Sequence, residues 1–379
     1  MQITRIETIP VKIPVDRKVG TVQNTKGFRF TSQILVVVIH TDRDLTGFGE
    51  VTGSPDWSGE TCLGAKTLID THLAPKLLGA DPRSIRSCMD RIAKTFANPF
   101  AKAGIELALF DLLGKHLRTP LYQLLGGAVR SFEIPLRFPI FPVGPAESAD
   151  VARRMVAAGF RNLKLKVGHD PLEYDLARVR QVREAVGPDI RLTVDANGGW
   201  TVNESIRAAP YLEEHGVLFM EQPVHRLDLE GLARVRQRIQ LPVMADESVF
   251  TVQDAQRCLQ LGAADIISIY PGKNGGLLNT MTIAAMAEAA GVQCAIGSNM
   301  EWDLGSAAMA HACAAIPNIC VERYDADIIG AYFHTEHATT PALCITPGFV
   351  TVPQQPGLGL DLDEAGVEAL RIPNANPDL

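Results

Sequence analysis

The 379-residue chain lacks a basic surplus: 36 Lys and Arg stand against 43 Asp and Glu, for a formal net charge of −7. Nucleic-acid and anionic-membrane binding both need a basic stripe, and that balance gives them no support. No apolar run is long enough to span a bilayer. The opening residues, MQITRIETIPVKIPV, alternate as a strand does and carry no apolar block of the signal-peptide kind. Cysteines are few and without pattern. The seven (Cys62, Cys88, Cys258, Cys294, Cys313, Cys320, Cys344) are odd in number and show no metal-type spacing, so buried free thiols in a reducing cytoplasm are expected. What remains is a globular composition, 46% hydrophobic and 21% charged, in a chain longer than one ordinary domain.

Residues 1 to about 50 read as a three-stranded meander: ITRIETIPVKIP, SQILVVVIHTD and LTGFGEV. The polar stretch from Asp16 to Phe30 is too long for a tight hairpin and suits a lid, and Thr52 to Thr61 is a second loop of that kind. Helical periodicity runs from about Gly59 to Leu125 and includes AKAGIELALFDLLGKHL, which reads as strongly amphipathic. TPLYQLLGG closes the region with a Pro start and a Gly stop. From Phe132 the chain alternates β runs (FEIPLRF, NLKLKV, RLTVDA, VLFMEQ, PVMADE, DIISIY, VQCAIG, NICVER) with helices. Eight such strands fit a closed β/α barrel, and no Gly-rich phosphate turn follows the first of them as an open dinucleotide-binding sheet would need. The expected fold is therefore α/β: an α+β N-terminal domain over 1–130, a barrel over 131–337, and a segment over 338–379 that returns to the first domain.

Three acids end successive β runs: Asp195 in RLTVDAN, Glu221 in VLFMEQP and Asp246 in LPVMADES. Their separations, 26 and 25 residues, are about one strand-plus-helix unit, which sets three carboxylates side by side at the C-terminal mouth of a barrel. Such a cluster is costly without a hard cation, and oxygen-only donors favour Mg²⁺, with Mn²⁺ as the alternative. One strand earlier, Lys164 and Lys166 lie two apart in NLKLKVG and so point the same way. Facing the helix layer both would be badly desolvated; facing the mouth they would meet anionic ligands. A lysine beside an oxygen-ligated metal suggests chemistry at a carbon next to a carboxylate.

Taken together, KLK, VDAN, MEQP, ADES and KNGGL, behind a domain ending LYQLLGG, resemble the enolase superfamily, and within it the muconate-lactonizing (muconate cycloisomerase) subgroup. The resemblance covers nearly the whole chain. It implies an α+β capping domain on a (β/α)7β barrel, Mg²⁺ on Asp195, Glu221 and Asp246, a homo-oligomer, and proton exchange between Lys166 and the carbon α to a substrate carboxylate, with Lys164 as electrostatic helper. The superfamily pattern is a Lys or His base with Mg²⁺ on an enediolate. The physics agrees. If the α-proton lies on the order of 20 pKa units above an ammonium, the gap is about 27 kcal/mol, beyond a lysine alone. A divalent ion at the enediolate oxygens stabilises charge where it develops.

The sequence departs from the subgroup at the end of the sixth strand, where a second lysine is usual on the opposite face of the substrate. Here, 24 residues past Asp246, stands Tyr270; Lys273 lies in the following KNGG, and sliding it into register would displace the Gly pair. A tyrosine of ordinary pKa near 10 can donate a proton but is a poor base at neutral pH. That favours reactions needing one lysine, namely cycloisomerisation or syn β-elimination such as dehydration, over racemisation or epimerisation with Lys166 and Tyr270. A noncatalytic binding barrel is the rival of a different class. Glu301, in GSNMEWDLG, resembles a family carboxylate near the substrate. Arg29 (or Lys26), Trp57, Arg137, Asn197 and Lys273 are candidates for holding a small carboxylic-acid substrate, while Trp302 and His311 read as packing residues.

Overall fold

The computed structural model describes residues 1–16, 23–24, 27–28 and 31–373; Arg17, Lys18, Lys26 and Arg29 lie outside them. Strands Ile3–Pro14, Thr31–Thr41 and Thr46–Val51 form the expected antiparallel meander, with Ile9 opposite Val36 and Val37 opposite Gly49. Its middle strand is buried from Ile34 to Ile39 because helices cover both faces.

On one of those faces lies the helix Pro99–Leu117, and here the expectation of strong amphipathicity fails: the helix is buried on nearly all sides from Phe100 to Gly114. It is a layer between the sheet and the barrel rather than a surface helix, so no face is left for water. Glycines permit the close approach. A Cβ on Gly49 would lie 2.0 Å from the Gly104 carbonyl oxygen, and one on Gly47 would lie 2.1 Å from that of Ala108. Buried acids of the first domain then cap barrel helices. Glu50 accepts from the backbone N–H of Trp302 (2.7 Å) and Gly305 (2.8 Å) at the start of Asp303–Ala315. Glu106 accepts from Leu278 N (3.3 Å) at the start of Leu277–Ala289. A carboxylate is favourable at a helix N-terminus. Burial nonetheless pushes Glu50 up to about 7 and Glu106 up to about 8.

Seven parallel strands follow: Phe138–Ile140, Asn162–Lys166, Arg191–Asp195, Val217–Glu221, Val243–Ala245, Ile266–Ile269 and Gln293–Ile296, each paired with the next in chain order. Helices fill the intervals, as a right-handed β/α barrel requires. The two ends of the series differ from the sequence reading. FEIPLRF does not run as one strand: Glu133–Pro135 pairs antiparallel with Phe349–Thr351 of the tail, and only from Phe138 does the chain enter the barrel. NICVER is not a regular eighth strand. Ile319 bridges to Cys294, the chain turns through Cys320–Tyr324, and Ala326 bridges to Leu136, so an irregular segment closes the curled sheet. The tail also bridges Val11 through Arg371, and Gly357 O accepts from Leu121 N (2.8 Å). All seven cysteines are free. Among the described residues no helix is long and apolar enough to cross a membrane.

Candidate active site

Strand register decides which side chains meet. Lys166 pairs across to Asp195, Asp195 to Glu221, and Glu221 to Met244, with Asp246 two residues farther on. Lysine and acids therefore reach the same level at the C-terminal ends of four consecutive strands. There they line one cavity of about 270 Å³, closed above by Ser54, Asp56 and Trp57 of the capping domain. The backbone just past the acids is strained. Asn197 (φ 43°) and Gln222 (φ 36°) occupy the left-handed region, where non-glycine residues are uncommon and often mark functional sites. Gln222 is locked there: its side-chain oxygen accepts from Asp246 N (2.9 Å) and Ser248 N (3.1 Å), tying the fourth strand end to the fifth.

Charges in the cavity are dense and paired. Lys166 Nζ donates to Asp195 Oδ2 (2.5 Å) and Asn197 Oδ1 (2.9 Å), and its side chain keeps 18% exposure. Lys164 lies deeper, donating to Asp327 Oδ2 (2.6 Å), with Glu221 and Asp195 oxygens both at 3.4 Å. Burial opposes its charge, but Asp327 and Glu221 hold its pKa above the ordinary lysine value. For Asp195, burial is outweighed by Lys166 and Lys164, which keep it below the usual carboxylate range. Glu221 goes the other way: burial and the neighbouring Asp195 charge push it up to about 7.

The three acids suit a hard divalent cation in their chemistry, being all oxygen donors and, at Asp195 and Glu221, crowded enough that like charge raises one of them. In the present arrangement each is turned to a lysine, Asp246 to Lys273, and among the described residues no three His, Cys, Asp or Glu side chains are gathered as a metal cage.

Several expected contacts fall elsewhere. Arg137 is wholly buried beneath the cavity. Its Nε and Nη2 donate to Asp327 (2.5 and 2.7 Å), and Nη2 lies 3.4 Å from Glu221, so it supports the acids rather than meeting a substrate. Lys273 is also fully buried, donating to Asp246 Oδ1 (2.7 Å), Asp246 O (2.9 Å) and Ser268 O (2.8 Å), and does not line the cavity. Glu301 turns back on its own loop, accepting from Ser298 Oγ (2.6 Å) and Asn299 N; Ser298, Asn299 and Met300 line the cavity in its place. Tyr270 is fully buried and stacked on Trp57 (ring centroids 6.1 Å). Its hydroxyl finds no hydrogen-bond partner among the described residues, and burial with the nearby Asp246, Glu301 and Glu247 charges pushes its pKa well above 10. Trp57 and Asn197 do line the cavity. Trp302 and His311 are buried packing residues, as expected.

Comparison with known proteins accords with this geometry. Residues 3–126 match the mandelate racemase / muconate lactonizing enzyme N-terminal domain, and residues 147–366 match the enolase C-terminal domain-like family. The chain belongs to the enolase superfamily. Muconate cycloisomerase 1 of Pseudomonas putida is 34% identical over 88% of this chain and 89% of its own, which places the chain in the muconate-lactonizing subgroup. The L-Ala-D/L-Glu epimerase of Bacillus subtilis is 34% identical over 95% of this chain and 97% of its own. Among solved structures, the N-succinyl Arg/Lys racemase of Bacillus cereus superposes with a TM-score of 0.93 at 29% identity, over 98% of both chains. The protein is thus an enolase-superfamily enzyme, and the noncatalytic barrel is set aside.

Two residues of this superfamily site escaped the sequence reading. Asp327 holds both Lys164 and Arg137; it sits in YDADIIG, past the irregular closing segment, where no regular strand end flags it. Glu247 adjoins Asp246 in ADES and was overshadowed by it. It is buried, accepts from Trp57 Nε1 (3.1 Å) and Asn197 Nδ2 (2.7 Å), and is pushed up to about 8 by burial and by Asp246 and Asp195. His169 and Phe141 also line the cavity and carried no sequence signal.

Proposed function

We propose that the protein is a Mg²⁺-dependent one-base enzyme, a cycloisomerase or syn-eliminating lyase, acting on a small carboxylic acid through Lys166. One observation carries this reading. Among the described residues, Lys166 is the partly exposed lysine lining the cavity, at 18%, whereas Lys164 beside it is buried at 7%, and on the sixth-strand side Tyr270 lies buried behind Trp57 with a raised pKa. Lys273, three residues past Tyr270, is held by a carboxylate and two carbonyls.

In the forward direction neutral Lys166 takes the proton from the α-carbon, and the C–H electron pair moves into the carboxylate as an enediolate. In elimination the pair then returns to form the Cα–Cβ double bond, the β-substituent leaves, and the Lys166 ammonium delivers a proton to it on the same face. In cycloisomerisation Lys166 instead starts as the ammonium: an oxygen of the substrate's second carboxylate adds to the β-carbon of a double bond, the π pair moves into the α-carboxylate as the enediolate, and Lys166 gives its proton to the α-carbon and is left neutral. Lys164, fixed by Asp327, keeps a positive charge beside the developing negative charge. Asp195, Glu221 and Asp246 would hold Mg²⁺, which when bound supplies charge stabilisation at the carboxylate oxygens. The epimerase relatives favour a second reading, in which the Tyr270 hydroxyl, without a hydrogen-bond partner among the described residues, donates a proton to the opposite face.

The test is a screen of muconates, β-hydroxy acids, N-acyl amino acids and dipeptides in D₂O, with and without Mg²⁺, followed by ¹H NMR. Mg²⁺-dependent α-deuteration accompanied by elimination or lactone product, absent in Lys166→Ala, is the expected result. Inversion of an α-centre as the main reaction, lost in Tyr270→Phe, would replace this reading with the epimerase.

A further inference from the structure

A line of hydrogen bonds runs from the proposed base to the capping domain without passing through the three acids. Lys166 Nζ donates to Asn197 Oδ1 (2.9 Å), Asn197 Nδ2 donates to Glu247 Oε1 (2.7 Å), and Trp57 Nε1 donates to the same oxygen (3.1 Å). Each end is anchored. The left-handed backbone of Asn197 aims its amide across the cavity, and its own N–H donates to Asp195 Oδ1 (2.9 Å). Trp57 is wedged among Phe250 (5.0 Å), Tyr270 (6.1 Å) and Phe100 (6.2 Å), and its carbonyl accepts from Arg226 Nη1 (3.0 Å). Two domains therefore meet on a single carboxylate oxygen.

We propose that Trp57, Glu247 and Asn197 act as positioning residues that couple the seating of the capping loop over Ser54–Trp57 to the orientation of the Lys166 amine. With Trp57 docked, Glu247 has one rotamer that satisfies both donors. Asn197 then presents its oxygen, not its NH₂, to Lys166, and the lysine is held on a defined line. When the loop lifts, Glu247 loses a donor, Asn197 is free to rotate, and the amine is no longer held. The base is thus aligned only when the cavity is covered, which keeps water from competing for the proton. The inference rests on Lys166 being the proton-transfer residue, but its test is independent of turnover.

The reactivity of each lysine is measured by competitive acetylation with acetic anhydride and peptide mass spectrometry, in the Mg²⁺-saturated protein, with exposed Lys94 as internal reference. A hydrogen-bond acceptor on an ammonium favours the charged, unreactive form, so loss of the chain raises Lys166 labelling. Glu247→Ala and Trp57→Phe are each expected to raise it about threefold or more while Lys94 is unchanged. Trp57→Phe keeps a ring in the stack and serves where a smaller residue would unseat the loop. Glu247→Gln retains the oxygen that accepts from both donors and is expected to stay within about twofold of wild type. Unchanged labelling in Glu247→Ala and Trp57→Phe overturns the proposal. A rise in Glu247→Gln as large as in Glu247→Ala overturns it too, because charge rather than position would then be the agent. Lys166→Ala that still exchanges α-protons would sink the assignment of the base and leave these labelling results standing.

Discussion

The two walls of the cavity are built on opposite principles. On the second-strand side, Lys166 is partly exposed and held by two polar contacts that a ligand can replace. On the sixth-strand side, Tyr270 is sealed behind Trp57, with Gly297 leaving the room for its ring: a Cβ there would lie 2.8 Å from Tyr270 Cε1. One wall presents an amine whose partners can be exchanged, whereas the other is buried and packed. If Lys166 is the one base, as proposed, a single side chain closed in by its neighbours would turn toward one-faced chemistry a fold whose relatives include both epimerases and cycloisomerases.

If that contrast is correct, the two walls respond very differently to mutation. Lys166→Ala should lower α-proton exchange by about 10²–10⁴-fold, the usual worth of a positioned general base. Exchange at the wild-type rate, read by NMR in D₂O, would remove Lys166 from the mechanism.

Next in size is the metal. Mg²⁺ at about a hundred times its dissociation constant should stabilise wild type by about 2.7 kcal/mol, seen as a raised melting temperature. Asp246→Asn should abolish that shift. It should also lower the melting temperature of the metal-free protein, because the wholly buried Lys273 ammonium keeps three acceptors but loses its counter-charge. An equal Mg²⁺ shift in the variant would show that the ion binds elsewhere.

How legible this was depended on regularity. Asp195, Glu221 and Asp246 could be read because parallel strands place equivalent residues at near-constant intervals, and Lys164 with Lys166 because a strand repeats every two residues. Tyr270 stood out by the same counting. Where the backbone leaves that regularity the sequence is silent. Asp327 follows a closing segment that makes only isolated bridges, so no strand end announces it. The fates of Arg137 and Lys273 turn on partners 190 and 27 residues away, and a cation that will be buried in an ion pair looks in sequence like one that will meet a substrate. The helix Pro99–Leu117 misled for a related reason: periodicity predicts one buried face, but a helix caught between two layers buries nearly all of them.

The smallest effect is the most discriminating. Tyr270→Phe removes a buried hydroxyl with no partner among the described residues, so no hydrogen bond is lost with it. Leaving a polar atom unsatisfied is itself unfavourable, and stability should change by less than about 1 kcal/mol, in either direction. The aromatic stack with Trp57 survives, since phenylalanine keeps the ring. Under the one-base reading turnover should stay within about tenfold of wild type, because the hydroxyl contributes at most an assisting acid. Melting curves and initial rates taken together separate the cases. A stable Tyr270→Phe variant that has lost turnover and α-inversion together would show that the buried wall also delivers a proton. The two walls would then be partners, and the enzyme an epimerase.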